Sequence, residues 1–350
     1  MKTTRHIFLT LGFLFFGSVY FWAESPNFLE QFGDMKPDEG IFSTDRYRFG
    51  DLFGLSYISH FKEKQKPECT YISDTCNSKK NISLYILGDS YSYKFFTEKN
   101  FCGINKLTIV NWDEEAKPFI PDSSCRSVLI IETTERYVRT RFIDQNIAAN
   151  KIYLPQPEQS MISYENASGN WRDYFSEVNG YLDALLFDYP LFTPVKQIKA
   201  NLNYNLFHRV PDAVTPTINQ DRLFLTETIA DSLKTSSFSK VEDKEILNLV
   251  MTMNTVREHY LHCGFSEVYF SFIPNPVSLF EPQRGILNHF IERIQNNPEN
   301  KFPVIDCYSL AKQNPEKFFR KSDTHWTTYG CNLWARRANE ILNEFRNQSH

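Results

Sequence analysis

One run in this chain is apolar almost without interruption: Ser127-Val128-Leu129-Ile130-Ile131. A strand with that composition has to be covered on both faces, which is the condition of a parallel sheet with helices above and below it. The surrounding pattern agrees. Further strand-like runs occupy residues 83–87, 106–110 and 267–273, the last ended by Pro274, with a short fifth run at 302–305. Helical patterning fills the gaps at 91–98, 135–143, 244–261 and 285–294. A final helix is expected over 327–345, with Thr327 or Thr328 as its N-cap. The expected fold class is therefore α/β, a flavodoxin-like, mostly parallel sheet sandwiched by helices. In such a sheet, ligands sit beyond the carboxyl ends of the strands, near the switch in strand order.

The rest of the chain divides around that core. Lys2 and Arg5 precede an uncharged, mostly apolar stretch from Ile7 to Ala23, and Glu24 closes it. Tyr20 and Trp22 stand where an interfacial aromatic belt would, so residues 7–23 read as a signal anchor in the inner membrane, with a cleaved signal peptide as the alternative. In either case the remainder is extracytoplasmic. Residues 24–80 are polar and broken by Pro and Gly, a lead-in or stalk to a main domain at 81–350. Between about 150 and 240, Pro155, Pro157, Pro190, Pro194, Pro211 and Pro216 interrupt the alternation. That region is expected to be a cap inserted into the core fold, with one amphipathic helix at 171–187.

Net charge is −4 with no dense Lys/Arg stripe, which argues against a nucleic-acid partner. The 31 Phe, 18 Tyr and 5 Trp read first as core material. Of the cysteines, Cys69 and Cys76 flank a polar loop that an exported chain can close with a disulfide, and Cys102 with Cys125 is a second pair to consider. Cys307 and Cys331 lie in apolar surroundings and read as small hydrophobes. His259-x-x-His262 is a metal-like pair without a third ligand, so neither a metal nor another cofactor is expected.

The chemistry concentrates at two places. Gly88-Asp89-Ser90-Tyr91-Ser92 follows the first strand, where the chain turns into a helix, and a serine there is a natural nucleophile. Asp323-Thr324-His325-Trp326 follows the fifth strand and precedes the last helix. His325 is then the base and Asp323 its orienter, if both ends of the chain reach the same sheet edge. The simpler alternative is a helix cap with a packed imidazole. Glu132 and Arg136 follow the third strand, which neighbours the first in a flavodoxin-like order. Arg136 is a candidate donor to an acyl carbonyl or carboxylate, held by Glu132, with a surface ion pair as the alternative.

Taken together, Gly-Asp-Ser90-Tyr-Ser, Glu132-Thr-Thr-Glu135-Arg136-Tyr137, Phe272-Ile273-Pro274-Asn275 and Asp323-Thr-His325-Trp326 with Gly330 resemble the SGNH-hydrolase-like domain of alginate O-acetyltransferases. The resemblance covers about 81–150 and 240–345. It implies an exported or membrane-anchored enzyme that transfers acetyl groups to a secreted polysaccharide, working with a membrane-bound O-acyltransferase. It further implies Ser90 as nucleophile, His325 as base and Asp323 as orienter. Tyr91, Glu132, Arg136, Asn275 and Trp326 become the candidates for oxyanion or substrate contacts. The same residues serve two rivals, a carbohydrate esterase that hands the acyl group to water and a non-catalytic glycan-binding or assembly protein.

Overall fold

The computed structural model describes residues 2–23, 49–64, 69–72, 81–93, 95–121, 124–155 and 193–347. The chain divides into two compact units: Met1–Gln65 with Glu158–Pro211, and Lys66–Pro157 with Asp212–His350. Most of the lead-in at 24–80, Cys76 and the helix expected at 171–187 lie outside the described residues.

The second unit is built on four parallel strands: β1 (Ile82–Gly88), β2 (Ile104–Asn111), β3 (Arg126–Thr134) and β4 (Glu267–Ile273). Their order is β2-β1-β3-β4, with Leu87 opposite Val110 on one side and Ile131 on the other. The α/β expectation, a mostly parallel central sheet with helices, is met. All seven residues of β1 are buried, as a central strand covered twice must be.

Alternation along the strands sorts these side chains into two cores. Leu84, Ile86, Val128 and Ile130 join Trp334, Ala335 and Ala338 of α5 (Thr328–Asn347). Tyr85, Leu87, Leu129, Ile131, Val268 and Phe270 join Leu249, Val250, Met253 and Val256 of α4 (Asp243–His262). The two long helices therefore cover opposite faces of the sheet. Each fully buried Leu, Ile or Val contributes about 1.5–3 kcal/mol relative to exposure, so the sheet centre is the main source of stability.

Several expected elements are shorter than their sequence patterns. The fifth strand reduces to a single parallel bridge between Phe270 and Val304. Pro303 O and the Ile305 N–H bond to Phe270 at 3.0 and 2.8 Å, but Pro303 has no N–H with which to continue the ladder. The helix after β1 is only α2 (Ser90–Tyr93), and a separate 3₁₀ turn at Glu98–Asn100 is capped by Thr97. The helix expected at 285–294 is helical only over Phe290–Gln295, because His289 adopts left-handed backbone (φ 50°) and Gly285 is extended. After β3 comes α3 (Glu135–Arg141).

Part of the expected cap at 150–240 belongs to the second unit. An antiparallel pair, Val214–Pro216 with Leu223–Leu225, sits against the segment leading to Asp323. The Leu223 N–H donates to Lys321 O at 2.8 Å, and buried Arg222 bonds Arg320 O and pairs with Glu316 at 2.8 Å. In the first unit, Ser59 and Asn201 exchange hydrogen bonds of 2.9 and 2.8 Å that join the 3₁₀ turn Ser59–Phe61 to the helix Thr193–Phe207.

The N-terminal stretch forms α1 (Lys2–Ala23), and its apolar side chains such as Phe8, Phe13 and Phe16 are exposed. Among the described residues, no helix is long and apolar enough to cross a membrane. The membrane anchor expected over 7–23 is therefore not supported. Cys102 and Cys125, considered as a pair from the sequence, carry no disulfide between them.

Candidate active site

The serine turn is built by close approach. A Cβ on Gly88 would lie 2.8 Å from Glu132 Oε2 and from the Ser92 side chain, so only glycine lets β1 end so near β3. Asp89 then organises the turn. Its carbonyl accepts the N–H groups of Ser92 and Tyr93, both at 3.0 Å, and its Oδ1 accepts the Tyr91 N–H at 3.1 Å. Its own N–H donates to Glu132 Oε2 at 3.1 Å, and its Oδ2 pairs with Arg141 Nη1 at 3.2 Å. Arg141 also donates to Thr133 Oγ1 at 2.7 Å and lies 4.6 Å from the Trp112 ring. Of the first N–H groups of α2, that of Ser90 is left without a hydrogen bond among the described residues.

The histidine arrives on a loop closed by an antiparallel bridge between Phe319 and Trp326 and by the Arg320 N–H donating to His325 O at 3.3 Å. Behind it, Thr327 Oγ1 accepts the Gly330 N–H at 3.2 Å and so starts α5 at one of the two expected caps. Gly330 is also a close approach, since a Cβ there would lie 2.6 Å from Phe318 O. These contacts place His325 at the carboxyl end of β1, with Nε2 2.7 Å from Ser90 Oγ. Nδ1 lies 2.6 Å from Asp323 Oδ1, which also accepts the His325 N–H at 2.8 Å. Tyr91 OH donates to Thr324 O, which ties the serine turn directly to the histidine loop.

Burial opposes ionisation of Asp323, but the His325 hydrogen bonds and the Arg320 guanidinium, 3.7 Å from Oδ2, outweigh it. The carboxyl is held below its usual range and stays anionic. Glu132 differs. It is fully buried, and burial together with the Asp89 charge raises its carboxyl well above the ordinary value, against the Ser92 hydroxyl (2.7 Å) and Arg141. Glu135 is likewise raised to about 7 by burial, in spite of bonds from the Asn275 N–H (2.8 Å) and the Ser237 hydroxyl (3.0 Å).

Ser90, His325 and Asp323 thus form one hydrogen-bonded relay, and Ser90 and His325 retain partial exposure at its open end. The residues expected to contact oxyanion or substrate are placed otherwise. Tyr91 is buried behind the imidazole, its ring centroid 4.9 Å away. Glu132 holds the turn from below rather than facing a ligand. Asn275 commits its Nδ2 to Thr235 O and Ser237 Oγ, both at 3.1 Å, and so offers no amide to an oxyanion. Trp326 is wholly buried among Tyr91, Phe95, Phe96, Phe318 and Trp334 and is core. Arg136 is buried beside Tyr137, and its Nε approaches Glu227 only to 3.9 Å.

Sequence reasoning missed Arg141 and Arg320, the two cations that fix Asp89 and Asp323. Arg320 carried a signal, because it lies three residues before Asp323. Arg141 did not, since its partner is 52 residues away. Comparison of this chain with family models, with curated proteins and with solved structures finds no match.

Proposed function

We propose that this chain is an extracytoplasmic O-acyltransferase that moves an acyl group, acetyl in the first instance, onto a hydroxyl of a polysaccharide through an acyl-serine at Ser90. The observation that carries the reading is the relay of 2.7 and 2.6 Å from Ser90 Oγ through the two nitrogens of His325 to a buried, anionic Asp323. A surface serine beside a histidine has no use for a buried carboxylate. A serine that must lose a proton does.

His325 Nε2 takes the Ser90 proton as Oγ attacks the donor carbonyl, and Asp323 stabilises the imidazolium that forms. The Ser90 N–H at the start of α2 is the donor nearest the developing oxyanion. As the tetrahedral intermediate collapses, His325 returns the proton to the leaving group and Ser90 keeps the acyl group. A sugar hydroxyl then enters, gives its proton to His325, attacks the acyl-serine and leaves as the ester, restoring Ser90. No metal or cofactor enters these steps.

The sheet order β2-β1-β3-β4 is consistent with a flavodoxin-like, SGNH-type fold and puts Ser90 beside the switch between β1 and β3. The basic flank and apolar residues of α1 support an export signal. A membrane-bound O-acyltransferase as the source of acyl groups, and a glycan as their acceptor, follow from the resemblance of the sequence motifs. The test is turnover of a chromogenic acetyl ester by the purified chain, with Ser90→Ala and His325→Ala as controls and product analysis after adding acetyl-acceptor oligosaccharides. Acetylated sugar is the expected product. Free acetate alone makes the protein an esterase, and no turnover with no labelling of Ser90 by a phosphonate ester removes the enzymatic reading.

A further inference from the structure

Two cysteines far apart in sequence meet next to the histidine loop. Cys69 lies in the described segment 69–72, and Cys331 lies in the first turn of α5, six residues beyond His325. The segment is pinned to that turn. Asn332 Oδ1 accepts the N–H groups of Thr70 and Tyr71 at 3.0 and 2.9 Å and lies 3.4 Å from Cys69 Sγ. Its Nδ2 donates to Thr70 Oγ1 at 2.9 Å. From the other side, Asn100 Nδ2 donates to the carbonyls of Cys69 (3.3 Å) and Tyr71 (2.8 Å). Both carry free thiols, and Cys69 packs against the buried cluster that contains Cys331. Cys331 is wholly buried and Cys69 is half-buried.

The remaining described cysteines have other surroundings. The Cys102 N–H is held by Asn339 at 2.6 Å, Cys125 lies beside Ser124, Cys263 lies 3.6 Å from His259, and Cys307 is fully buried.

We propose that Cys69 and Cys331 are a disulfide pair, which replaces the Cys69–Cys76 pairing expected from the sequence and ties the segment before β1 to the helix that carries the histidine loop. Its formation in the cell rests on the proposed export of the chain to an oxidising compartment. The asymmetry of the pair sets the order of events. The neighbouring Cys331 thiol lowers the Cys69 thiol, aided by the Tyr71 backbone and against burial, whereas burial and Cys69 itself push Cys331 far up. Cys69, as thiolate, attacks a donor disulfide such as oxidised glutathione, forming a mixed disulfide and releasing one glutathione thiolate. Cys331 then loses its proton and attacks the Cys69 sulfur, releasing the second glutathione. The protein loses two protons and two electrons, and the donor disulfide gains them.

The test oxidises the purified full-length chain with oxidised glutathione, alkylates remaining thiols under denaturing conditions and maps linked peptides by mass spectrometry. The expected result is a Cys69–Cys331 cross-link that persists in Cys76→Ser and disappears in Cys331→Ser. The oxidised wild type should melt roughly 5–10 °C above the reduced form, as closing so long a loop implies, with no such gap in Cys331→Ser. A Cys69–Cys76 cross-link, or Cys331 recovered fully alkylated after oxidation, overturns the pairing. Whether the chain as isolated already carries the bond reads the export proposal separately, since the pairing in vitro does not depend on it.

Discussion

Asp323 Oδ1 receives two hydrogen bonds from the same residue, His325, one from the backbone N–H at 2.8 Å and one from Nδ1 at 2.6 Å. One oxygen therefore fixes the position of the histidine and its tautomer together. In Asp323→Asn the backbone donor still demands an oxygen at that point, so the amide keeps its Oδ1 toward His325 and sets its NH₂, without a partner, against the Arg320 guanidinium. The tautomer survives, but the charge that stabilises the imidazolium is lost. Activity should fall by about 10²–10³-fold, less than the ~10⁴-fold known where the tautomer inverts. Nitrogen NMR of the ring should still show the proton on Nδ1, and its appearance on Nε2 would count against this geometry.

Tyr91→Phe removes only the hydroxyl that bonds Thr324 O. A buried hydrogen bond of this kind contributes about 1 kcal/mol net, so the melting point should change little. The catalytic effect should exceed the stability effect, because the bond joins the serine turn to the histidine loop. We expect kcat to fall roughly tenfold with KM unchanged, as a loss of positioning predicts. A change confined to KM would instead make Tyr91 a substrate contact.

Burial of Glu135 gives a pH dependence of stability with a defined sign. Its carboxyl is near 4.5 in the unfolded chain and about 7 when folded. Between those values the folded state holds the extra proton, so stability falls as pH rises from 4.5 to 7, by up to roughly 3 kcal/mol. Glu135→Gln keeps an oxygen for the Asn275 N–H and should flatten that slope. Asp323 acts oppositely: its folded value is depressed below 3.8, so its contribution is present above that pH and is lost on further acidification. Thermal melts of wild type and both variants from pH 3 to 8 separate the two. An unchanged slope in Glu135→Gln would place the titrating group elsewhere.

Trp326→Ala should behave as a core deletion. The ring is wholly buried against Tyr91, Phe96 and Phe318, and such truncations cost about 3–5 kcal/mol. Chemical denaturation should report that loss. A stable variant with a raised KM for saccharide would return Trp326 to the binding surface.

What the sequence disclosed, and what it did not, follows from the range of the forces involved. Apolar runs located the centres of β1, β3 and β4, because two-sided burial leaves an unbroken signature. The ends of β1 and β3 run past that signature, since ladder hydrogen bonds of β3 continue through Arg126 and through Glu132 to Thr134, which are not apolar strand formers, whereas β4 spans the expected 267–273. The same local pattern overestimated residues 302–305, where one proline stops the pairing. At the site, Ser90, Asp323 and His325 were legible because their residue types are uncommon in that arrangement. The burial of Asn275 and Trp326 was not legible for a different reason. Exposure is a tertiary property, and a tryptophan next to the histidine loop looks the same in sequence whether it faces solvent or the core.

The bond from Tyr91 to Thr324 crosses 233 residues of chain. A polypeptide emerging from synthesis carries Ser90 long before His325. The Ser90–His325 contact is consequently absent until the histidine loop has docked, and the chemistry proposed for it waits on the same event.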